Sequence, residues 1–579
     1  MLYEVVWTRL LGLAIGSNTH AYSLMLATFI GGIATGSWLV HRWRATGKTL
    51  LGFAVAELAL AATLAVSVWF YDLIPWWLSR LAGLLARTPG SYPLYELLQG
   101  ALCVAVMFIP TACLGTTLPL ASRIATAELG RAGGSVGRVF AVNTLGTVLG
   151  AVLTGLVLLP TLGLAWTLAL GIGLNAAVGL VLLAETGRRD RRLWIATAVG
   201  LVALFWGTSI LSPRWDRAFA LGMWRSKTPP TSRADYRNQV DGTALRFHRD
   251  GAGSTVTVLS SVQQGGQENL ILRVNGKTDA TSIGDASTQA LLAHVPLLTK
   301  PNSSDVLVVG LGSGMTVGSA LRHPDVKRVD VVEISPEVVE ATRRFFAPFN
   351  HGALEDSRTH LVIEDAKAFL KSTPQRYDVV ISEPSNPWMA GVAGVFSREF
   401  YGDIRDRLKP GGIAAQWLQM YEMDDRTVDL VINTFASVFP EVGVWLVGGR
   451  DLVLLGAMEP VVVDLARMSR SAVHPEVRQD LARVGIRDLT SLLNLELIPM
   501  GDGIFVPDPA TPIHSDLHPV LEYAAQRAFF VRGEADKIFA LSEGRNPRPR
   551  GLAARHLAGR RMTTNELQAS ALLFRASSI

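Results

Sequence analysis

The hydrophobic pattern divides the chain in two. Up to about Pro213, apolar residues run in stretches of about 20; beyond it, short apolar runs alternate with polar segments. Stretches long enough to cross a bilayer as helices lie at 21–40, 50–70, 97–118, 139–159, 164–183 and 193–211. Residues 3–15 read as the tail of one more helix. Gly32-x-x-x-Gly36 and Gly146-x-x-x-Gly150 predict close helix packing. Trp76 and Trp77, with Arg80 and Arg87 nearby, predict an interfacial segment. Inside the spans, Glu57 is a candidate functional group, and Asn143 and Asn175 are candidates for interhelical hydrogen bonds.

After the apolar third, 212–250 is polar and reads as an irregular linker. Segments 254–259 and 269–274 alternate as strands do, with turn residues at 263–266 between them, and Asn275-Gly276 makes a tight turn. A helix is expected over 285–298. Then comes the strongest local pattern: an apolar strand from Val306, the glycines Gly310, Gly312 and Gly314, and a second strand over 329–333 ending at Glu333. Ser335-Pro336-Glu337 supplies an N-cap, a proline at the first helical position and an acid in the first turn. A third strand, 361–363, runs into Glu364-Asp365-Ala366. A fourth, 377–382, ends at Glu383-Pro-Ser-Asn-Pro-Trp388, and Pro410-Gly411-Gly412 precedes a fifth. This alternation predicts an α/β Rossmann-like sheet of the class I methyltransferase type, behind a small N-terminal β-layer. Its acids lie on the carboxyl edge, where open α/β sheets bind ligands. The expected domains are a transmembrane helical domain (1–211), the linker (212–250), a small β subdomain with its connecting helix (251–300), a nucleoside-binding catalytic domain (301–458) and a C-terminal extension (459–579).

Charge changes the picture in one respect. The first 211 residues carry 13 Lys+Arg and 7 Asp+Glu, a balance of +6, so the rest of a chain of net charge +5 sums to about −1. The basic character therefore belongs to the loops of the apolar part. No basic stripe interleaved with aromatics marks a nucleic-acid surface. The basic loops at 41–48, 123–138 and 188–192 read as cytoplasmic by the positive-inside rule. With six spans, that rule puts the region after Pro213 outside, whereas a nucleoside cofactor argues for the cytoplasm. The expectation adopted is a multi-pass inner-membrane protein with a cytoplasmic soluble domain. Cys103 and Cys113, ten residues apart on one helix, are too distant to bridge, and no metal site is expected. His514 and His518 read as structural.

The glycine turn lets the backbone bend sharply and approach a ligand closely. No lysine follows it, so it is not a phosphate-cradling loop, and its spacing departs from G-x-G-x-x-G. A nucleoside without phosphate fits better. Glu333 lies 23 residues after Gly310, where an acid gripping ribose hydroxyls is expected. Asp365 can accept from an adenine amino group, the Ala366 amide can meet a ring nitrogen, and Gly312 and Gly314 leave room for a sulfonium. Beside a sulfonium, Glu383 can orient an attacking amine and accept its proton, in an in-line displacement driven mainly by positioning. Asn386 and Pro387 are similar to the Asn-Pro turns that hold an amine through carbonyl oxygens. Trp388 can wall the pocket or simply pack.

The series Asn275-Gly276, Gln289 to His294-Val-Pro296, Gly310–Gly314, Val332-Glu333-Ile334, Glu364-Asp365-Ala366, Tyr377–Ile381, Phe396–Tyr401 and Leu408-Lys-Pro-Gly-Gly412 up to Gln416 resembles the spermidine synthase (polyamine aminopropyltransferase) family. The resemblance is to its membrane-fused, spermidine synthase-like branch. It covers roughly 254–423, and the apolar third also looks like that branch. It implies that decarboxylated S-adenosylmethionine, or S-adenosylmethionine itself, serves as co-substrate. It implies cofactor contacts at Gln289, Glu333 and Asp365, amine contacts near Asp279 and Gln416, and a homodimer. Some positions depart from the family. Soluble members carry Asp-Ser-Ser/Thr-Asp-Pro where this chain has Glu383-Pro-Ser-Asn-Pro387. The catalytic Asp is thus Glu383, the second Asp is Asn386, a downstream Gln is Asp279 and a Tyr is Thr288. Several groups that would grip a diamine are absent from their usual places. The function expected is aminopropyl transfer to an amine by a bilayer-bound enzyme. The alternatives are S-adenosylmethionine-dependent methyl transfer, and a membrane transporter or sensor whose soluble domain binds a nucleoside or polyamine without turnover.

Overall fold

The structure is a computed structural model, and it describes residues 1–43, 48–126, 132–187, 191–263, 265–500, 509–538 and 551–558. Parts of the three basic loops (44–47, 127–131 and 188–190) lie outside the described residues, as does position 264 of the expected turn. The chain forms two compact units. The first comprises Met1–Ala86, Gly90–Leu259 and Arg273–Lys277; the second comprises Arg87–Pro89, Ser260–Leu272 and Thr278–Ile579.

The first unit is helical: α1 (Leu2–Ile15), α2 (Thr19–Arg42), α3 (Thr49–Ser67), α4 (Ile74–Ala82), α5 (Tyr92–Ala125), α6 (Ala132–Leu153), α7 (Leu159–Glu185), α8 (Arg191–Ala220) and α9 (Arg233–Asp241). Among the described residues, five helical runs are long and apolar enough to cross a bilayer: Thr19–Arg42, Thr49–Ala82, Pro89–Ala125, Gly133–Glu185 and Trp194–Arg225. The count differs from the six expected spans because 139–159 and 164–183 fall in one run of 53 residues. At 1.5 Å per residue that run is about 80 Å long, against a hydrocarbon core of about 30 Å. It breaks at Gly163, whose φ of 75° is outside the helical region. The Leu164 N–H freed there donates to Asp250 Oδ2 at 3.0 Å.

Helix α1 is largely buried: Val6, Trp7, Leu10, Leu11, Ala14 and Ile15 are almost fully enclosed, while Glu4, Val5, Thr8 and Arg9 are half-buried. One glycine pair packs as expected. A Cβ on Gly36 would sit 2.0 Å from the Ala112 carbonyl oxygen, and one on Gly32 would sit 1.9 Å from Thr111 Oγ1, so α2 and α5 touch backbone to backbone. The other pair does not: nothing lies within 4 Å of a Cβ on Gly146, and Gly150 meets only Met1. Helix α6 instead exposes Phe140, Val142, Leu145 and Val148. Asn143 is likewise exposed, against the expectation of an interhelical bond. Asn175 does bridge helices: Tyr3 donates to it and it donates to Glu57. The expected linker is also more ordered than its polarity implied. Helix α8 continues to Ala220, and α9 starts at the Ser232 N-cap.

A four-stranded sheet follows, in the order β1 (Ala244–Asp250), β2 (Thr255–Val262), β3 (Glu268–Val274), β4 (Lys277–Thr281). Asn275 and Gly276 both take positive φ, 51° and 77°, as a two-residue hairpin turn demands. The second unit then runs α10 (Ala286–Thr299), β5 (Asp305–Val309), α11 (Met315–Ala320), β6 (Arg328–Glu333), α12 (Pro336–Ala341), β7 (Thr359–Ile363), α13 (Ala366–Ser372) and β8 (Tyr377–Ser382). Further on come β9 (Leu408–Gln419), β10 (Glu441–Gly448), β11 (Asp451–Ala457) and β12 (Glu496–Ile498). The eight strands form one sheet in the order β12-β10-β11-β9-β8-β5-β6-β7. Strands β9, β8, β5, β6 and β7 pair in parallel, and β11, β10 and β12 add antiparallel pairings. Winding proceeds outward in both directions from β5 and β8, so the crevice at their carboxyl ends is the ligand position of such a fold.

The expected C-terminal extension is part of this unit. Strand β12 joins the sheet, and Asp480, in the helix Pro475–Arg483, enters a buried network. Its Oδ2 lies 3.0 Å from His294 Nε2 and accepts from Ser319 Oγ at 2.6 Å; its Oδ1 lies 2.9 Å from His351 Nε2 and 2.8 Å from the Arg483 guanidinium. His294 Nδ1 is in turn 2.9 Å from His323 Nε2. His514 is also structural: its buried ring bonds the Ala393 carbonyl oxygen at 2.8 Å.

Candidate active site

Two turns meet at the carboxyl edge of β5 and β8. The Glu383 N–H donates to the Val309 carbonyl at 2.9 Å, and a Cβ on Gly310 would lie 2.4 Å from the Glu383 carbonyl oxygen. Gly310 has a φ of 90°, so both its conformation and its closeness to the second turn require glycine. At Gly314 a Cβ would meet Asn350 Nδ2 at 2.9 Å, and that amide donates to the Ser313 carbonyl.

Glu333, at the end of β6, is almost fully buried. Its Oε2 accepts from the Leu311 N–H at 3.0 Å and its Oε1 from the Ser335 N–H at 2.8 Å. Burial pushes its carboxyl above the ordinary value; the backbone donors oppose that, and nearby Asp279 adds to it. Each carboxylate oxygen has a second lone pair, so the carboxylate can still receive two hydroxyls. Asp365 sits at the end of the next loop. It is exposed and caps α13, accepting from the Ala368 N–H at 3.0 Å, which leaves its other oxygen for a ligand. Ala366 is the first residue of that helix. Ile334 and Ile363, beside these two acids, are 69% and 53% exposed, an apolar surface of the kind a planar base covers.

Glu383 is partly buried at the end of β8. Burial pushes its carboxyl up to about 8; a hydrogen bond from Thr316 opposes the shift, and the carboxylates of Asp285 and Asp451 add to it. Thr316 Oγ1 is 2.6 Å from Glu383 Oε2 and 3.0 Å from the Gln289 carbonyl oxygen. The Gln289 side chain is engaged inside the protein: Ser313 donates to it, and it donates to the Asp285 carbonyl oxygen at 3.4 Å. Asp279 accepts from Ser385 Oγ at 2.7 Å, which anchors the loop after Glu383 to β4.

Asn386 is completely buried, yet neither of its amide atoms has a hydrogen-bond partner within the chain. Gln416, paired in register with Ser382, donates to the Trp417 carbonyl oxygen at 2.9 Å, but its own carbonyl oxygen has no partner. Of the two readings of Trp388, pocket wall or packing residue, the structure gives its packing. It is 2% exposed and packs on Phe529, with ring centroids 4.5 Å apart. Thr316, Asp285 and Asp451 were absent from the residues singled out in the sequence. Position 316 follows the glycine turn by two residues, and that closeness was the one available signal.

Residues 286–448 match the family model described as the spermine/spermidine synthase domain. A polyamine aminopropyltransferase of Streptomyces coelicolor is 28% identical over 462 residues, 78% of this chain and 77% of that protein. One from Pseudomonas aeruginosa is 32% identical over 174 residues, 30% of this chain and half of that protein. Thr278–Ile579 is little more than half of the chain, so the Streptomyces match necessarily extends into the helical part. Among solved structures, a spermidine synthase in complex with the transition-state analogue AdoDATO aligns over 41% of this chain and 88% of its own, at 20% identity and a TM-score of 0.34. Human methyltransferase-like protein 13 aligns over 34% and 90%, at 21% identity and a TM-score of 0.27.

Proposed function

The chain belongs to the spermidine synthase-like family and is a transferase, and from that premise we propose that it moves an aminopropyl group from decarboxylated S-adenosylmethionine to an amine. The observation that carries this reading is Asn386. A fully buried amide without a partner costs about 1–3 kcal/mol, and here it lies three residues from a carboxylate held near neutral charge. A polar ligand group is its natural complement.

In this reading the donor supplies an electrophilic carbon attached to a sulfonium; the amine nitrogen bonds to that carbon as its bond to sulfur breaks, and the sulfur leaves as a neutral thioether. Glu333 receives the ribose hydroxyls while its backbone donors fix its orientation. The free oxygen of Asp365 and the Ala366 amide meet the base, with Ile334 and Ile363 against its faces. Gly310, Gly312 and Gly314 give the donor room beside Glu383. Asn386 Oδ1 accepts an N–H of the incoming amine, which aims the nitrogen lone pair. Glu383 takes the proton that the amine loses. Gln416 lines the same end through its unpartnered carbonyl oxygen.

The helical unit is proposed to lie in the inner membrane, with the transferase on the cytoplasmic side where such donors are made. Its support is the run of exposed apolar side chains on α6 and α8, including Val142, Val202 and Trp206, which a hydrocarbon environment would cover.

The test uses the full chain in detergent. Calorimetric titration should give tighter binding of decarboxylated S-adenosylmethionine than of S-adenosylmethionine. Glu383→Gln should lower kcat roughly 10²- to 10⁴-fold and leave donor affinity unchanged. Undiminished turnover in that variant would remove Glu383 from its role. Preference for intact S-adenosylmethionine would favour methyl transfer, to which the Asn386-Pro387 pair is suited. Binding of neither would favour a transport or sensing role.

A further inference from the structure

Buried amides on three elements lack partners, and these elements share one side of the sheet. Asn386, on the turn after β8, has neither amide atom paired among the described residues, and Gln416 on β9 has no donor to its carbonyl oxygen. The face of Gln416 is fixed by its neighbours. Two residues away, Ala414 is directly opposite Gly456 of β11, and a Cβ on Gly456 would lie 2.6 Å from the Phe435 ring. Alternate residues of a strand share a face, so Gln416 stands on the face covered by the helix Asp425–Ala436. The helix Val520–Val531 packs on that helix in turn.

The helix Val520–Val531 also holds the loop that follows the catalytic turn. Its Glu522 accepts from the Gly391 N–H at 3.2 Å, and its Phe529 packs on Trp388. The Met389 N–H donates to the Asn386 carbonyl oxygen at 3.0 Å, closing a tight turn that contains Trp388. Positions 522, 526 and 529 recur at helical spacing on one face, so Gln526 lies between the two contacts. Gln526 is 4% exposed, and neither its amide oxygen nor its amide nitrogen has a partner among the described residues. It also lies outside the matched domain, 286–448, so no pattern within that domain points to it.

The unpaired atoms make a specific demand. The amide nitrogens of Asn386 and Gln526 are donors, and each needs an acceptor. A diamine has none to offer: its ammonium carries donors only, and the lone pair of its reacting nitrogen is committed to the carbon it attacks. Because both atoms of each amide are unpaired, exchanging oxygen and nitrogen leaves the demand unchanged. A hydroxyl or carboxamide brings donor and acceptor together. We propose that Gln526 joins Asn386 and Gln416 in an acceptor pocket of neutral amides, and that the acceptor is a primary amine carrying an uncharged hydroxyl or carboxamide group. This rests on the aminopropyl-transfer reading and deepens it. Asn386 Oδ1 orients the reacting nitrogen, while its Nδ2, the Gln526 amide and the Gln416 oxygen bind the uncharged group.

The experiment loads the full chain, in detergent, with decarboxylated S-adenosylmethionine and measures transfer to 4-amino-1-butanol and to 1,4-diaminobutane, which differ only in the terminal group. The wild type should favour the amino alcohol in kcat/KM roughly 10- to 100-fold. Gln526→Leu should raise KM for the amino alcohol by a similar factor while changing kcat little, with donor affinity retained. Its melting temperature should equal or exceed that of the wild type, because an unsatisfied buried amide is gone. Gln526→Glu puts a carboxylate in the same shape and should turn the preference toward the diamine, a reversal that a packing role would not produce. A wild type that prefers the diamine overturns the neutral pocket and leaves aminopropyl transfer standing. A preference for the amino alcohol that survives Gln526→Leu unchanged overturns the part given to Gln526. Donor binding without transfer to either amine overturns the pocket as well. Failure to bind the donor overturns the transfer reading and the pocket together.

Discussion

At the scale of single residues, the charge state of Glu383 sets the expected pH behaviour. Its carboxyl is pushed up to about 8 from an ordinary 4.5. Because the base form accepts the proton, kcat/KM should rise with pH through about 8 and level off above it; a flat profile from pH 6 to 9 would contradict the assignment. Stability should move the opposite way. A carboxyl whose folded pKa exceeds its unfolded pKa binds more protons when folded, so stability falls as pH rises from about 4.5 to about 8. With its partial exposure the penalty is on the order of 2 kcal/mol. Melting temperatures of the wild type and Glu383→Gln should therefore diverge with rising pH, the variant becoming the more stable. Glu333, Asp365 and Glu383 were legible in the sequence because each ends a strand, and strand ends share one edge of a parallel sheet. Asp285 and Asp451 were not, since they come near Glu383 only through tertiary packing, in which the β10–β11 turn rests on the first turn of α10 and Asp451 accepts from Thr288. Trp388 was ambiguous for a related reason: Phe529, which buries it, is distant in sequence.

At the scale of elements, the two glycine pairs read alike in sequence and differ in the fold. Gly36→Leu should force α2 away from α5, costing about 1–3 kcal/mol or more, because the first added atom already meets a backbone oxygen. Gly146→Leu should be neutral to folding, since its surroundings are open. Thermal unfolding of the two variants in the same detergent checks the contrast; equal losses would mean that α6 packs on something in its native setting. Strand β8 and the N-cap at Ser335 followed from local chemistry, apolar alternation and a capping side chain, and both stand as expected. Strands β1, β10, β11 and β12 carried no comparable punctuation. Strand β12 is three residues long and exists because β10 offers it an edge. The single helical run over 133–185 illustrates the opposite limit: hydropathy marked its two halves, while the kink depends on the φ of one glycine.

At the scale of the whole chain, segments distant in sequence are held together by a few polar knots in an apolar interior. Asp480 is the clearest. Burial alone would raise its carboxyl, but hydrogen bonds from His294, His351 and Ser319 hold it far below the ordinary range. Asp480→Ala would strand these donors in the core and should cost about 3–5 kcal/mol, seen as a fall in melting temperature. A loss under 1 kcal/mol would mean that the residues after 458 fold as an appendage. The first unit shows long-range dependence of another kind. Most of helix α1 is buried, and the helices packed on it include α7 and α8, which end at residues 185 and 220. The ribosome finishes α1 well before it makes those walls. During synthesis α1 is therefore an unsheltered apolar segment of 14 residues, about 21 Å long at 1.5 Å per residue. Its burial waits for more than 200 further residues, so α1 can reach its final place only once α8 has been made.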